Sequence, residues 1–410
     1  MRRRTFLQML GLGTVGFGMG RKARGKDQAA DGTITLFLCG DVMTGRGIDQ
    51  ILPYPSRPRI YESYLKSAKD YVEIAEIKSG DIPRQAPFDY IWGDALAECD
   101  HIAPDLRIVN LETAITTSER YWPRKGINYR MHPRNTPCLS AAKLDACVLS
   151  NNHVMDWGYE GLSETLSSLD SHNIGYAGAG TDSMQAEAPL ILDLPGKGRV
   201  LLYAFAHHSS GVPLVWRADR NRPGVALLKS LTGTESKRIA VDIAARKQAG
   251  DLVVVSIHWG GNWGYEIPPE QRRFAHWLVD EAGVDSVHGH SSHHPKGIEL
   301  YHGVPILYGC GDFLNDYEGI GRYDAFRDDL TLAYFLTYEP SSGSLTRFVM
   351  TPMQIRKFSL HYASNQDRSW LWQTMKRECS LLETGVTRLR DGRFELELSQ
   401  PSQATPAQTG

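Results

Sequence analysis

Five polar groups stand where apolar runs end: Gly40-Asp41, Asn110-Leu111-Glu112, Asn151-Asn152-His153, His258-Trp259-Gly260 and Gly289-His290-Ser291-Ser292-His293. Carboxylate, carboxamide and imidazole are the donors of a borderline divalent cation, so Zn, Mn or Fe match this set better than Ca. Seven of the fourteen histidines fall between His258 and His302, a crowding that favours a shared ion over scatter. No Cys-x-x-Cys pair occurs among the six cysteines, which argues against a thiolate zinc site. Each group alone has a plainer reading. Gly-Asp is a common turn, a lone histidine is usually a hydrogen-bonded surface or core residue, and Asn151 or Asn152 could cap a helix. Five such groups at strand ends point to one metal site, because ligands of α/β sheets gather outside the carboxyl ends of the strands.

The elements that must position these groups are short apolar runs. TITLFLCG (33–40), RIVNLE (107–112), Ala146–Ser150, VLLYAF (200–205), LVVVSIHWG (252–260), VDSVHGH (284–290) and VPILYGCG (304–311) read as buried strands. Gly158–Asp170 carries Leu162, Leu166 and Leu169 on one helical face, and Pro269–Ala282 reads as a helix entered through proline. Strands alternate with helices, so the fold class is α/β. Residues 51–90, rich in Pro, Tyr and charge, read as an insertion or lid within a main domain of 31–360. Residues 330–360 read as added β structure, 361–400 as a helix and strand extension, and 401–410 as a disordered tail.

The motifs GDVMTGR (40–46), NLE (110–112), NNHVMDWGYEGL (151–162), HWG (258–260), GHSSHHP (289–295) and LYGCGDF (307–313) resemble the CapA family of capsule biosynthesis. That family is associated with poly-γ-glutamate production and is similar in turn to the calcineurin-like metallophosphoesterases. The resemblance covers roughly residues 33–320. It implies a four-layer αββα sandwich with insertions, holding one or two divalent ions (Mn, Zn or Fe). It implies Asp41, Glu112, Asn152, His258, His290 and His293 as metal ligands, with Glu112 in the bridging position. His153 would contact the scissile group or protonate the leaving oxygen. Asp156, three residues on, would orient His153 and raise its pKa. Arg46 and Arg130 are candidate anion clamps, surface arginine being the plainer reading. One departure stands out. The phosphoesterase pattern opens Asp-x-His, whereas Asp41-Val42-Met43 has no histidine, which leaves one metal position short of a ligand.

Several other residues carry two readings. His288 and His294 are either helpers of the ligands, substrate contacts or, as the plainer reading, turn-exposed histidines. Cys39 and Cys310 read as buried, free, small apolar residues. Trp259, Trp263 and Tyr265 read as the wall of a substrate cleft or as core aromatics.

The N-terminus MRRRTFLQMLGLGTVGFGMG joins three arginines to a short Gly-rich apolar stretch. Residues 1–30 therefore read as a twin-arginine-type export signal. They imply export to the periplasm or the cell surface, with the signal either cleaved or retained as a membrane anchor. The 410-residue chain is 41% hydrophobic and 22% charged, with a formal net charge of −2. That balance is globular and argues against a protein held mainly by nucleic-acid phosphates. The expected function is an exported metal-dependent hydrolase acting on a phosphoester or a γ-glutamyl amide. The alternative is a non-catalytic accessory protein that binds an anionic polymer or docks on a membrane-bound capsule synthase.

Overall fold

A computed structural model describes residues 32–320 and 325–398. The segments expected to be an export signal (1–30) and a disordered tail (401–410) lie outside the described residues. The principal strands are β1 (Ile34–Val42), β2 (Leu106–Leu111), β3 (Ala146–Val148), β4 (Gly175–Ala177), β5 (Gly198–His207), β6 (Leu252–His258), β7 (Ser286–His290), β8 (Val304–Leu307), β9 (Asp312–Leu314), β10 (Leu330–Glu339) and β11 (Ser344–Arg356). The principal helices are α1 (Ala68–Ser79), α2 (Asp94–Ile102), α3 (Gly158–Ser171), α4 (Gly233–Arg246), α5 (Pro269–Ala282) and α6 (Asn365–Ser380).

Two sheets lie face to face. The first runs β11-β10-β1-β2-β3-β4, with β1 to β4 parallel. The second runs β5-β6-β7-β8, all parallel. Parallel strands covered on both faces need apolar residues throughout, which explains their unbroken hydrophobic runs. Alternate residues of β1 serve different layers. Leu36 and Leu38 join Ile108, Val148, Val200, Leu202 and Val254 between the sheets. Phe37 and Cys39 face outward and pack with Leu162, Leu166 and Leu169 of α3. On the far side, Tyr203, Phe205 and Val255 pack against Ile239 of α4 and Phe274 and Leu278 of α5. The architecture is thus helix–sheet–sheet–helix, the expected four-layer α/β sandwich.

Local sequence accounts for the helix ends. Pro269 stands in the first turn of α5, and Gly283 closes it in the left-handed conformation at φ 62°. Ser67 and Asp70 form a reciprocal capping box on α1. This helix belongs to the 51–90 segment and buries Tyr71, Val72 and Ala75. Helices α2 and α4 lie outside the sequence-based expectations. Helix α6 inserts Leu371, Met375 and Cys379 into the core between the sheets, so the C-terminal extension is part of the packing. Among the described residues, no helix is long and apolar enough to cross a membrane.

The two partners of β1 along one edge explain how the site forms. Strand β10 pairs antiparallel with Ile34–Leu38, and β9 then pairs parallel with Asp41 and Val42. At the change of partner the backbones nearly touch. A Cβ on Gly40 would stand 1.6 Å from the carbonyl oxygen of Gly311, and Asp41 N–H donates to that oxygen at 2.9 Å. Only glycine at position 40 permits this approach.

Candidate metal centre

Strand register sets the centre. Asp41 pairs with Asn110 on one side and with Asp312 on the other, and His258 pairs with His290. Residues paired across parallel strands present their side chains on the same face. Asp41, Asn110, His258 and His290 stand at the carboxyl ends of their strands and Asp312 at the start of β9, and all are buried.

Two groups result. Asp41, His258 and His290 form one, and Asp41, His293 and Asp312 form the other. Within each, one ligand atom per residue lies within 4.8 Å of the others, and Asp41 belongs to both. His258 Nδ1 lies 2.7 Å from His290 Nδ1, and His258 Nε2 lies 2.9 Å from Asn152 Oδ1. His293 Nδ1 lies 2.7 Å from Asp312 Oδ1. Glu112 Oε1 stands 3.9 Å from His258 Nε2 and 3.7 Å from His153 Nε2. The structure therefore brings Asp41, Glu112, Asn152, His258, His290 and His293 together. The residue common to both groups is Asp41, with Glu112 beside it.

A chain of amides holds Asp41 in place. Asn110 Nδ2 donates to Asp41 Oδ1 at 2.7 Å, and Asn151 Nδ2 donates to Asn110 Oδ1 at 3.0 Å. Asn151 Oδ1 in turn accepts from the backbone N–H groups of His153 and Val154. Asn151 thus plays the capping part within the Asn-Asn-His motif, which frees Asn152 to face His258.

The electrostatics fit a cation. Burial and the charge of Asp312 push the Asp41 carboxyl up to about 7. Burial and then the charge of Asp41 push Glu112 well above the carboxylate range. Burial likewise drives His258 and His290 far down, the neighbouring imidazoles adding to it. His293 differs: burial opposes its charge, but the Asp312 carboxylate outweighs that and raises it. Buried carboxylates that repel one another, beside imidazoles kept neutral, form a donor set suited to divalent ions.

His153 adjoins this set. Its Nδ1 lies 2.6 Å from Asp156 Oδ2, and Tyr129 packs edge-on to its ring at 4.6 Å. The contact occurs in a turn just ahead of α3. The expected rise in pKa does not occur. Burial outweighs Asp156 and holds His153 down at about 4, with Lys125 adding to the effect. Lys125, which the sequence motifs do not reveal, lies 2.7 Å from Asp156 Oδ1 and 3.0 Å from His153 Nδ1. Asp312 is the other residue missed. Its signal was present, because Gly311-Asp312 repeats the Gly40-Asp41 pattern next to an apolar run.

A cavity of about 300 Å³ opens beside His293, lined by Arg46, Tyr64, Asn262, Trp263, Tyr317 and Asp328. Trp263 walls it, its ring 5.2 Å from that of His293. Trp259 instead lies in the core and donates its indole N–H to Tyr308 O, while Tyr265 packs on His294 and Phe326. Arg46 reaches the cavity, but its guanidinium is bonded to Asp316 and to Glu62. Arg130 lines a different cavity, with Arg57 and His132, and donates to Ser118 O and Glu119. The turn-exposed reading of His288 and His294 is corrected, since both are fully buried. His288 Nε2 bonds Cys39 O at 2.8 Å, and its Nδ1 lies 3.1 Å from Ser256 Oγ, which also bonds His290 Nε2. His288 thereby helps to orient His290. Cys39 and Cys310 are buried and free, as expected.

Fold and site together define a four-layer α/β protein with a buried Asp/His centre that could hold metal ions. The family model described as "Bacterial capsule synthesis protein PGA_cap" matches residues 35–317, and the chain belongs to this family. A Mycobacterium tuberculosis protein named as a probable polyglutamine synthesis accessory protein is 44% identical over 345 residues, covering 84% of this chain and 90% of that protein. The PGA biosynthesis protein CapA of Bacillus subtilis is 25% identical over 370 residues, covering 90% of this chain and 83% of that protein. A solved phosphatase structure from Mycoplasma pneumoniae aligns with a TM-score of 0.45 at 14% identity, over 78% of this chain and 94% of that one.

Proposed function

We propose that the protein is an exported metal-dependent hydrolase that serves the synthesis or processing of a poly-γ-glutamate capsule polymer. Its bond is a phosphoester or a γ-glutamyl amide. The observation that carries this reading is the pair of ligand groups joined through Asp41, with His153 at their edge. Family membership and the names of the two relatives support the link to the polymer. The arginine-led N-terminal sequence supports export to the periplasm or cell surface.

Asp41, His258, His290 and Asn152 would hold one divalent ion, and Asp41, His293 and Asp312 a second, with Glu112 alongside. Ions bound there would supply Lewis-acid polarisation of the scissile group and an activated water. His153 supplies the proton chemistry. With Nδ1–H donated to Asp156, Nε2 is the ring atom left to face the centre. Burial keeps the ring neutral at pH 7, so Nε2 first accepts a proton and then returns it to the leaving group. Tyr129 N–H also donates to Asp156 Oδ2, at 2.6 Å, and so fixes the carboxylate that fixes His153.

The test uses purified, metal-loaded protein with a model phosphodiester and a γ-glutamyl peptide. His153→Ala is expected to keep its ions and to lose about 10²- to 10⁴-fold in turnover, the usual worth of a general acid–base. Unchanged turnover in this variant would remove His153 from catalysis. Absence of turnover in the metal-loaded wild type would instead favour the reading, suggested by the mycobacterial relative's "accessory" name, that the cleft binds an anionic polymer or synthase without cutting.

A further inference from the structure

At the position where Asp-x-His would supply an imidazole, the chain has Met43. Its side chain is fully buried, and its Sδ meets Tyr317 Oη at 3.6 Å. Met43 is thus used in packing. Beside it, β9 brings Asp312 into register with Asp41, so that both carboxylates leave neighbouring strand ends on the same face. Asp312 is 1% exposed, and its Oδ1 reaches His293 Nδ1 at 2.7 Å. Its other oxygen accepts from Asn315 Nδ2 at 2.8 Å, which fixes the carboxylate plane.

We propose that Asp312 replaces the missing histidine and makes the Asp41–His293–Asp312 position a cation site of a different kind from its neighbour. The inference rests on the metal-dependent reading above. One position offers Asp41 with two imidazoles and the Asn152 amide. The other offers two carboxylates and a single imidazole. Oxygen-rich sets suit harder ions such as Mn²⁺ or Mg²⁺, and imidazole-rich sets suit Zn²⁺ or Fe²⁺. The Asp312 position therefore takes the harder ion and the His258 position the softer.

The surroundings of His293 agree with a ligand role. Its Nε2 lies 2.9 Å from the Asn262 side-chain amide. The amide nitrogen Nδ2 is the atom placed there; with the amide turned over, Nε2–H would donate to Asn262 Oδ1 and leave the Nδ1 lone pair facing Asp41 and Asp312. Charge balance supports two ions for an anionic substrate. Asp41, Glu112 and Asp312 together carry three negative charges when ionised. One divalent ion leaves the centre negative, whereas two leave it positive and attractive to a phosphate or a glutamyl carboxylate.

The test is equilibrium dialysis of the full protein against equal Mn²⁺ and Zn²⁺, followed by elemental analysis, with no substrate present. The wild type is expected to hold one of each per chain. Asp312→Asn keeps the size of the side chain and one carbonyl oxygen but removes the charge. It should lose Mn²⁺ affinity by at least about 100-fold and keep its Zn²⁺. The reciprocal variant His258→Ala should lose Zn²⁺ and keep Mn²⁺. If Asp312→Asn still holds both ions in the wild-type ratio, or loses both together, Asp312 merely orients His293 and the inference is overturned. Absence of hydrolysis with this metal pattern intact would overturn the proposed function and leave the two-site assignment standing.

Discussion

Replacing Asp41 by asparagine should abolish binding at both metal positions, yet make the metal-free protein more stable. Asp41 is the one carboxylate common to both ligand groups, so its loss should weaken each ion by more than about 100-fold. Without metal the same carboxylate is a liability. It is fully buried and faces Asp312, and its pKa rises from 3.8 to about 7. The folded protein therefore holds a proton that the unfolded chain has released. Below about pH 4 both states are protonated and nothing is lost. Stability then falls as the pH rises from about 4 to about 7, and stays lower above that window. The full effect is at most ~4 kcal/mol at 1.36 kcal/mol per pKa step. Asparagine removes this penalty but weakens the contact with Ser291 N–H, which lies 3.3 Å from Asp41 Oδ2. A net gain of about 2 kcal/mol at pH 8 is expected. Thermal unfolding from pH 4 to 8, with and without divalent ions, reads both halves. A metal-free Asp41→Asn protein with a lower Tm than wild type at pH 8 would contradict this account of the carboxylate cluster.

The second large effect belongs to Gly40. A methyl group there would stand 1.6 Å from Gly311 O, and the atoms in the way are backbone rather than a side chain that can swing aside. The strand ends must part. Asp41 N–H then loses Gly311 O, and Asp312 moves away from Asp41. Gly40→Ala is expected to cost about 3 kcal/mol or more, the upper range for overpacking. It should also lose the ion of the Asp312 position before that of the His258 position. Gly261→Ala is the control. It lies in the loop after His258, a Cβ there meets nothing within 4 Å, and it should change stability by less than about 0.5 kcal/mol. Urea unfolding of the two variants separates them. Equal stability of Gly40→Ala and wild type would mean that the two strands do not approach as described.

Much of this was legible in the chain because it depends on local pattern. The apolar runs of β1, β5 and β6 mark strands buried on both faces. Polar residues at their ends mark a ligand site, and Leu162, Leu166 and Leu169 mark the inner face of α3. What stayed hidden depends on register between distant segments. The Gly311-Asp312 pair looks like any turn until β9 is laid beside β1. Arg46 reads as a surface arginine or a clamp until Asp316 and Glu62 are found holding it in the interior. Lys125 sits in a loop with no motif, and it reaches Asp156 only through the tertiary fold. The His153–Asp156 spacing correctly suggested contact. The sign of the pKa shift was missed because spacing carries no information about burial. The exposed reading of His288 failed for the same reason.

The most direct test is anomalous diffraction from crystals of the metal-loaded full chain, recorded at the Mn and Zn absorption edges. Two peaks are expected on either side of Asp41: Zn beside His258, His290 and Asn152, and Mn beside His293 and Asp312. Peaks remote from Asp41, or no bound metal after loading, would contradict the claim that these side chains form one shared metal centre.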